Sequence, residues 1–183
     1  MQNRSGSASI AGDERSSRVA FTVNGDRREL TLDNRTTLLD TLREHLGLIG
    51  AKKGCDHGQC GSCTVLLEGR RVKSCLIFAV TLDDCSITTV EGLAGPDRLS
   101  PLQEAFVAQD AFQCGYCTPG QLCSARGVLD ELAEGWPSAV TEDLTGVVRP
   151  TDAEIRERMA GNLCRCGAYP HIVAAIRETA GER

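Results

Sequence analysis

The sequence predicts an α+β protein in which a small β-grasp sheet is followed by a four-helix bundle. Two observations divide the chain in this way. Apolar residues alternate with a period of two in the first half of the 183 residues and recur about every 3.6 residues in the second half. Residues 91–96, between the halves, are rich in Gly and end in Pro, and both residues interrupt regular structure. We therefore predict one domain over residues 19–93 and another over residues 97–183.

Residues 1–18 are predicted to form a disordered tail. They are rich in Ser, Gly and Arg, and such a composition buries too little apolar surface to offset the entropy lost on ordering. No apolar segment typical of a secretory leader follows the first arginine. We therefore expect a cytoplasmic protein, or a periplasmic one if an export leader has been removed.

Two hairpins are predicted in the first domain. Asn24-Gly25 and Glu68-Gly69 each separate two short apolar-alternating segments, and the first dipeptide favours the positive φ angles of a tight hairpin turn. The paired strands are residues 19–23 with 28–32 and residues 64–67 with 71–73. A further strand is predicted over residues 86–90.

One helix is predicted between the hairpins. Thr36 or Thr37 can cap it, and apolar residues from Leu38 to Leu46 recur at helical spacing. Gly47 is predicted to end the helix because glycine readily adopts the positive φ that follows a helix terminus.

Four helices are predicted in the second domain. Three begin at capping-box sequences, in which a Ser or Thr is followed three residues later by Gln or Glu, at Ser100, Thr118 and Thr151. The fourth follows Pro170. Residues 136–150 lack periodicity and are predicted to form a surface excursion in which Trp136 has a packing role.

Composition excludes several classes of function. The formal net charge is −5 with both signs interspersed, so no surface for nucleic acid or anionic lipid is indicated. No apolar run reaches the roughly 20 residues that a membrane-spanning helix needs. The partners are therefore expected to be proteins.

The first of two cysteine groups has the spacing C-x4-C-x2-C-x11-C, and its first three cysteines have the spacing of plant-type 2Fe-2S ferredoxins. Its members are Cys55, Cys60, Cys63 and Cys75. Four thiolates around two irons carry negative charge, which nearby backbone N–H groups can solvate. Gly54, Gly58 and Gly61 permit that close approach of the backbone.

Zinc and disulfides are the alternatives for the same cysteines. A structural zinc site usually takes two separated pairs of ligands, whereas this loop places three thiols within nine residues. Disulfides require an oxidising compartment and are typical of smaller chains. The spacing favours an iron-sulfur cluster over both.

The second cysteine group consists of a CxxC pair and a CxC pair, each just before a predicted helix. Its members are Cys114, Cys117, Cys164 and Cys166. The positive ends of two helices would face these thiolates, and the four sulfurs could hold zinc nearly as well as iron. The presence of the first group in the same chain favours a second redox centre.

The remaining cysteines and the histidines are not predicted to be ligands. Cys85 and Cys123 are expected to be small buried hydrophobic residues. A Rieske centre would use two histidines, but each group already has four thiols. We therefore interpret His45, His57 and His171 as loop, surface or interface residues.

Three motifs together resemble the small iron-sulfur subunits of the molybdenum hydroxylases, the xanthine oxidase family. They are GCDHGQCGSCT from Gly54, QCGYCTPG from Gln113 and GNLCRC from Gly161. Within that family the chain most resembles the subunit of bacterial aldehyde oxidoreductases of the periplasmic type, through ERMAGN from Glu157 and CGAY from Cys166. The resemblance covers residue 19 to the C-terminus.

The resemblance implies a plant-type ferredoxin domain followed by a helical domain, with one 2Fe-2S cluster in each. It implies electron transfer from molybdopterin cytosine dinucleotide on a large subunit, through both clusters, to FAD on a middle subunit. It further implies that Gln113 and Cys166 contact the pterin, Cys166 being also a cluster ligand. No catalytic residue is expected on this chain.

Two rival functions remain open at this stage. One is a free-standing two-cluster ferredoxin that shuttles between enzymes, and the other is a structural zinc protein without a redox role. A subunit must bury surface on its partners, whereas a carrier keeps a charged surface around an exposed cluster. The substrate cannot be inferred, because its pocket lies on another chain.

Overall fold

In the computed structural model, residues 15–95 and 97–181 are described. These residues form a five-stranded mixed sheet and five α-helices. The strands are β1 (Ser16–Val23), β2 (Asp26–Asp33), β3 (Thr64–Leu67), β4 (Arg70–Lys73) and β5 (Ser86–Thr88), and the helices are α1 (Leu38–Asp40), α2 (Pro101–Ala108), α3 (Thr118–Ala133), α4 (Asp152–Met159) and α5 (Tyr169–Gly181). Short 3-10 turns span Ser74–Leu76, Ala79–Thr81 and Val90–Gly92.

The sheet has the strand order β2-β1-β5-β3-β4. β1 pairs antiparallel with β2 and parallel with β5, and β3 pairs antiparallel with both β4 and β5. Both predicted hairpins are confirmed. Their turns place Asn24, Gly25, Glu68 and Gly69 at positive φ, the backbone geometry that matches the twist of the flanking strands.

The ends of the predicted strands differ from the structure in two places. β1 begins at Ser16, which pairs with Asp33, so residues 16–18 belong to the sheet and not to the predicted tail. Residues 1–14 lie outside the described part of the chain. The strand predicted over residues 86–90 ends at Thr88, because the Thr89 N–H donates to the Asn24 side chain and the chain then turns.

The first helix is shorter and less regular than predicted. Thr37 caps it by accepting from the Asp40 N–H, but only one α-helical turn forms before a π-helical turn at Thr41–His45. The Thr41 hydroxyl donates to the Thr37 carbonyl, a local bond that bends helices. Gly47 then adopts a φ of 68°, consistent with its predicted position after the helix.

Two of the three predicted capping boxes begin a helix. Ser100 makes both reciprocal bonds with Gln103, and Thr151 accepts from the Glu154 N–H. The capping box predicted at Thr118 is wrong, because Cys117 is the helical boundary residue and Thr118 already lies inside α3.

The apolar residues form two clusters. One covers the sheet and α1 and includes Phe21, Leu39 and Ile87, and the other lies among α2 to α5 and includes Phe106, Ile155 and Ile176. The helix α3 packs along β3 and also contacts the edge strand β4, so the helices lie directly against this end of the sheet. Among the described residues, no helix is long and apolar enough to cross a membrane.

Candidate metal centres

The β3–β4 hairpin brings Cys75 back to Cys63. Cys63 immediately precedes β3 and Cys75 lies in the 3-10 turn after β4, and their sulfurs are 3.4 Å apart. This separation far exceeds the roughly 2.0 Å of a disulfide bond. Two thiolates on one tetrahedral metal with bonds of about 2.3 Å would be about 3.8 Å apart. The pair is therefore spaced for a shared metal.

Backbone N–H groups point at the sulfur of Cys55. The N–H groups of Gln59 and Cys60 each lie 3.3 Å from Cys55 Sγ. Together with the N–H of His57, which has the largest effect, they lower the pKa of Cys55 to about 6 although burial opposes this. The loop is therefore arranged to stabilise a thiolate at Cys55.

The second site lies where the chain enters α3 and α5. Cys117 is the boundary residue of α3, and Cys164 accepts at Sγ from the Ala168 N–H at 3.4 Å. A cavity of about 610 Å³ opens between the two loops. Its lining includes Cys114, Cys117, Cys164 and also Cys60 of the first group.

At each site one thiol has a raised pKa, mainly because it is buried and also because a second cysteine sulfur lies beside it. Burial and the neighbouring Cys63 raise the pKa of Cys75 to about 11. Burial and the neighbouring Cys164 raise the pKa of Cys117 to about 12. Metal ions counter this effect because they replace the shared proton and hold both sulfurs as thiolates. At each site the structure brings two thiols together, Cys63 with Cys75 and Cys117 with Cys164, and each pair suits one iron of a 2Fe-2S cluster. Among the described residues, no three or more His, Cys, Asp or Glu side chains are gathered closely enough to hold a single metal ion.

A backbone hydrogen bond connects the loops of the two sites. The Leu163 N–H, immediately before Cys164, donates to the carbonyl of Cys60 at 2.8 Å. A path of covalent bonds and one hydrogen bond therefore runs from a cysteine of the first group to a cysteine of the second. The 103 residues between its ends explain why cysteine spacing could not reveal it.

Sequence reasoning missed two polar residues at this junction. Lys73 donates from Nζ to Thr64 Oγ1 at 3.2 Å, to the Gly161 carbonyl at 2.9 Å and to Asn162 Oδ1 at 3.3 Å. Asn162 is 3% exposed and contacts both loops. The sequence did hold one indication of their importance, because Lys73 and Asn162 each stand two residues before a predicted ligand.

The two cysteines outside the predicted ligand sets pack into the interior of the protein. Cys123 is buried, and burial followed by the charge of Glu91 raises its pKa to about 12. Cys85 is partly buried against the core of the sheet.

Gln113 and Cys166 are both exposed beside the cavity-lining cysteines. The His57 ring lies against the Cys55 carbonyl of its own loop, and the His171 ring lies against the Gln109 carbonyl.

Two family models match consecutive parts of the chain. A 2Fe-2S iron-sulfur cluster binding domain matches residues 21–87, and a [2Fe-2S] binding domain matches residues 89–177.

Curated relatives extend the similarity over most of the chain. The aldehyde oxidoreductase iron-sulfur-binding subunit PaoA of Escherichia coli (strain K12) is 61% identical over 164 residues, which are 90% of this chain and 72% of that protein. The nicotine 6-hydroxylase small subunit of Paenarthrobacter nicotinovorans is 47% identical over 87% of each chain.

Solved structures share the fold. Quinoline 2-oxidoreductase from Pseudomonas putida 86 superposes with a TM-score of 0.78 and 41% identity, over 91% of this chain and 94% of that chain. The aldehyde oxidoreductase from Desulfovibrio desulfuricans ATCC 27774 gives 0.77 and 37% identity, over 90% of this chain but only 17% of that longer one.

Proposed function

Because the chain belongs to the family of small iron-sulfur subunits of molybdenum hydroxylases, we propose that it carries electrons from a molybdopterin centre on a large subunit to FAD on a middle subunit. The observation that carries this proposal is the hydrogen bond from the Leu163 N–H to the Cys60 carbonyl, which links the two thiolate sites in series.

We assign the ligands of the two clusters to the two cysteine groups. Cys55, Cys60, Cys63 and Cys75 would hold the first, in a β-grasp domain of residues 19–93. Cys114, Cys117, Cys164 and Cys166 would hold the second, in a four-helix domain of residues 97–183. When bound, each 2Fe-2S cluster takes up and releases an electron at a potential set by its charge, its hydrogen bonds and its exposure.

The chain's own groups would stabilise the charge that electron uptake adds. At the first site the N–H groups of Gln59 and Cys60 face a sulfur, and at the second the Ala168 N–H does so. These fixed dipoles need no reorganisation when the charge changes. Tight packing also limits water near the inner cysteines, since Cys63, Cys75 and Cys164 are all buried.

An apolar rim around the second site supports a permanent partner over a free carrier. The side chains beside its cysteines are between 40% and 52% exposed, and they are Phe112, Tyr116, Leu163 and Tyr169. A soluble shuttle would present this apolar surface to water, whereas a subunit covers it on its partner. We propose that the large subunit covers this rim.

We further propose that Gln113 and Cys166 contact the pterin of the large subunit. Both side chains are exposed at the loops that carry the second cysteine group, so a docked cofactor can reach them. The first site would then face the FAD subunit. Because the similarity to PaoA is high, an aldehyde is the proposed substrate class, and the substrate pocket would lie entirely on the large subunit.

Metal analysis and co-purification test this proposal. The isolated chain should contain about four iron and about four acid-labile sulfide atoms, the content of two 2Fe-2S clusters. A tagged chain expressed with its genomic neighbours should retain a molybdenum-containing and a flavin-containing subunit through gel filtration. Zinc without iron would overturn the proposal, and recovery of the iron-loaded chain alone would favour the carrier.

A further inference from the structure

We infer that Asn162 is a positioning residue that holds the two cluster loops at the separation needed for electron transfer between them. This inference rests on the proposed function. Asn162 stands between α4 and Cys164, and its side chain is buried at the junction of the loops that carry the two cysteine groups.

The Asn162 amide nitrogen connects three segments. Nδ2 donates to the Gly61 carbonyl at 3.0 Å and to the Gly120 carbonyl at 3.0 Å. Gly61 lies between Cys60 and Cys63, and Gly120 lies in the first turn of α3, three residues after Cys117. A single NH2 group, on the segment that leads to Cys164, therefore bonds both the first-site loop and the helix that begins at the second site.

The orientation of this amide is fixed by its other partners. Oδ1 faces the Lys73 ammonium at 3.3 Å and accepts from the Ser124 hydroxyl at 2.6 Å. A lysine ammonium can only donate, so the atom facing it must be the amide oxygen. The nitrogen is then left to face the two carbonyls, and every polar atom of the side chain has a partner.

The packing at this junction leaves no room for another arrangement. A Cβ at Gly61 would lie 2.4 Å from the Gly161 carbonyl oxygen, and a Cβ at Gly120 would lie 2.4 Å from the Gly61 carbonyl oxygen. The three backbones therefore touch, and the Asn162 side chain crosses the contact. One residue further along, the Leu163 N–H makes the 2.8 Å bond to Cys60. The bond that links the two sites thus depends on where Asn162 holds its own backbone.

The variant Asn162→Asp tests this role at nearly constant shape. The carboxylate keeps the acceptor for Lys73 and Ser124 but places an oxygen against the two carbonyls, so the loops should separate. In the chain loaded with both clusters and fully reduced, EPR should show each cluster's own g values unchanged while the magnetic splitting between the clusters weakens. The rate of inter-cluster electron transfer should fall with it, because the transfer weakens as the two clusters move apart.

Two further variants keep the outcome decisive. Ser124→Ala removes one partner of Oδ1 and leaves both Nδ2 bonds, so its splitting should match the wild type. Asn162→Ser removes the same two donors without adding a charge, and its splitting should weaken as in Asn162→Asp. Wild-type splitting and rate in both Asn162 variants would overturn the inference, as would loss of either cluster from both. A wild-type chain without two 2Fe-2S clusters would instead overturn the proposed function.

Discussion

Arg71 and Glu131 form a bidentate ion pair between the sheet and the helices. Arg71 Nε and Nη2 lie 2.9 Å from the two carboxylate oxygens of Glu131, and both side chains are about one-fifth exposed. Arg71 Nη1 also donates to the Arg158 carbonyl at the end of α4, at 2.7 Å. One guanidinium on β4 therefore holds two helices against the sheet edge.

Removing this guanidinium should loosen the contact between the sheet and the helices. Arg71→Met leaves Glu131 only partly paired, and we expect the free energy of unfolding to fall by about 1 to 3 kcal/mol, between the values for exposed and buried pairs. Denaturant titration of the cluster-loaded chain measures this change in the free energy of unfolding. The exposed Arg28–Asp26 pair provides the control, since Arg28→Met should change stability by less than about 0.5 kcal/mol. Equal effects of the two substitutions would contradict the role of Arg71.

Gly127 provides the surface on which Arg71 lies. A Cβ there would be 2.3 Å from Arg71 Cγ, so Gly127→Ala should destabilise the wild-type chain although alanine favours helix. In an Arg71→Ala background the obstruction is gone, and the same change should then stabilise by about 0.5 to 1 kcal/mol through helix propensity. A double-mutant cycle from denaturant titrations measures this change of sign. If Gly127→Ala has the same sign in both backgrounds, the two residues do not interact as described.

Sequence reasoning succeeded where the deciding contacts are local. The conformation of the Asn24-Gly25 turn is determined by four consecutive residues. The Ser100 capping box is also local, whereas Thr118 failed because the CxxC loop before it already adopts helical geometry at Cys117. The π-helical turn after Asp40, in which the Leu46 N–H donates to the Thr41 carbonyl, has no counterpart in the apolar spacing of the segment.

The junction between the sheet and the helices could not be predicted. Arg71 and Glu131 are 60 residues apart, and Asn162 and Gly61 are 101 apart. Nothing in the periodicity of either segment encodes which residues will meet, because that depends on how α3 packs along β3. Cysteine spacing predicted two groups of ligands, which stays a prediction, and only the fold shows how the loops that carry them are joined.

Stability in acid should depend on Glu154. Burial alone raises the pKa of its carboxyl, but bonds from Ser138 and Thr141 and the Arg158 guanidinium outweigh this, and the pKa lies below its usual value. A folded pKa below the unfolded value of about 4.3 adds stability above that pH, and this stability is lost as the pH falls through the folded pKa.

Glu154→Gln should therefore lower the free energy of unfolding by about 1 to 3 kcal/mol at pH 7, because donors are left facing a neutral amide. The difference from the wild type should shrink as the pH falls below about 4. Ser138→Ala removes one of the hydroxyl donors and should give a smaller effect with the same pH dependence. Denaturant titrations between pH 7 and pH 3 measure both. A difference that is constant over this range would rule out the carboxylate as its source.

The two cysteines outside the predicted ligand sets should be dispensable for both clusters. Cys85→Ser and Cys123→Ser should each retain two EPR signals after reduction, whereas Cys75→Ser should lose the first-site signal because it removes a thiolate. The folded chain should also resist iodoacetamide at Cys123, where burial keeps the thiol protonated. EPR and mass spectrometry after labelling measure these outcomes. Loss of a signal in either of the first two variants would mean that the ligands are assigned wrongly.

Gln113 is predicted to act only when the large subunit is bound. Gln113→Ala removes an exposed amide but no thiolate, so both cluster spectra should stay unchanged in the assembled enzyme. Reduction of the clusters by substrate should slow, or cofactor binding weaken, by about twofold to tenfold, the effect of one hydrogen bond. Stopped-flow absorbance and molybdenum content measure these effects, and Gln109→Ala is the control because that amide bonds Glu178 on α5. Cys166→Ser should instead alter the second cluster's own spectrum. If Gln113→Ala reacts at the wild-type rate with full molybdenum content, Gln113 has no docking role, and the cluster assignments are unaffected.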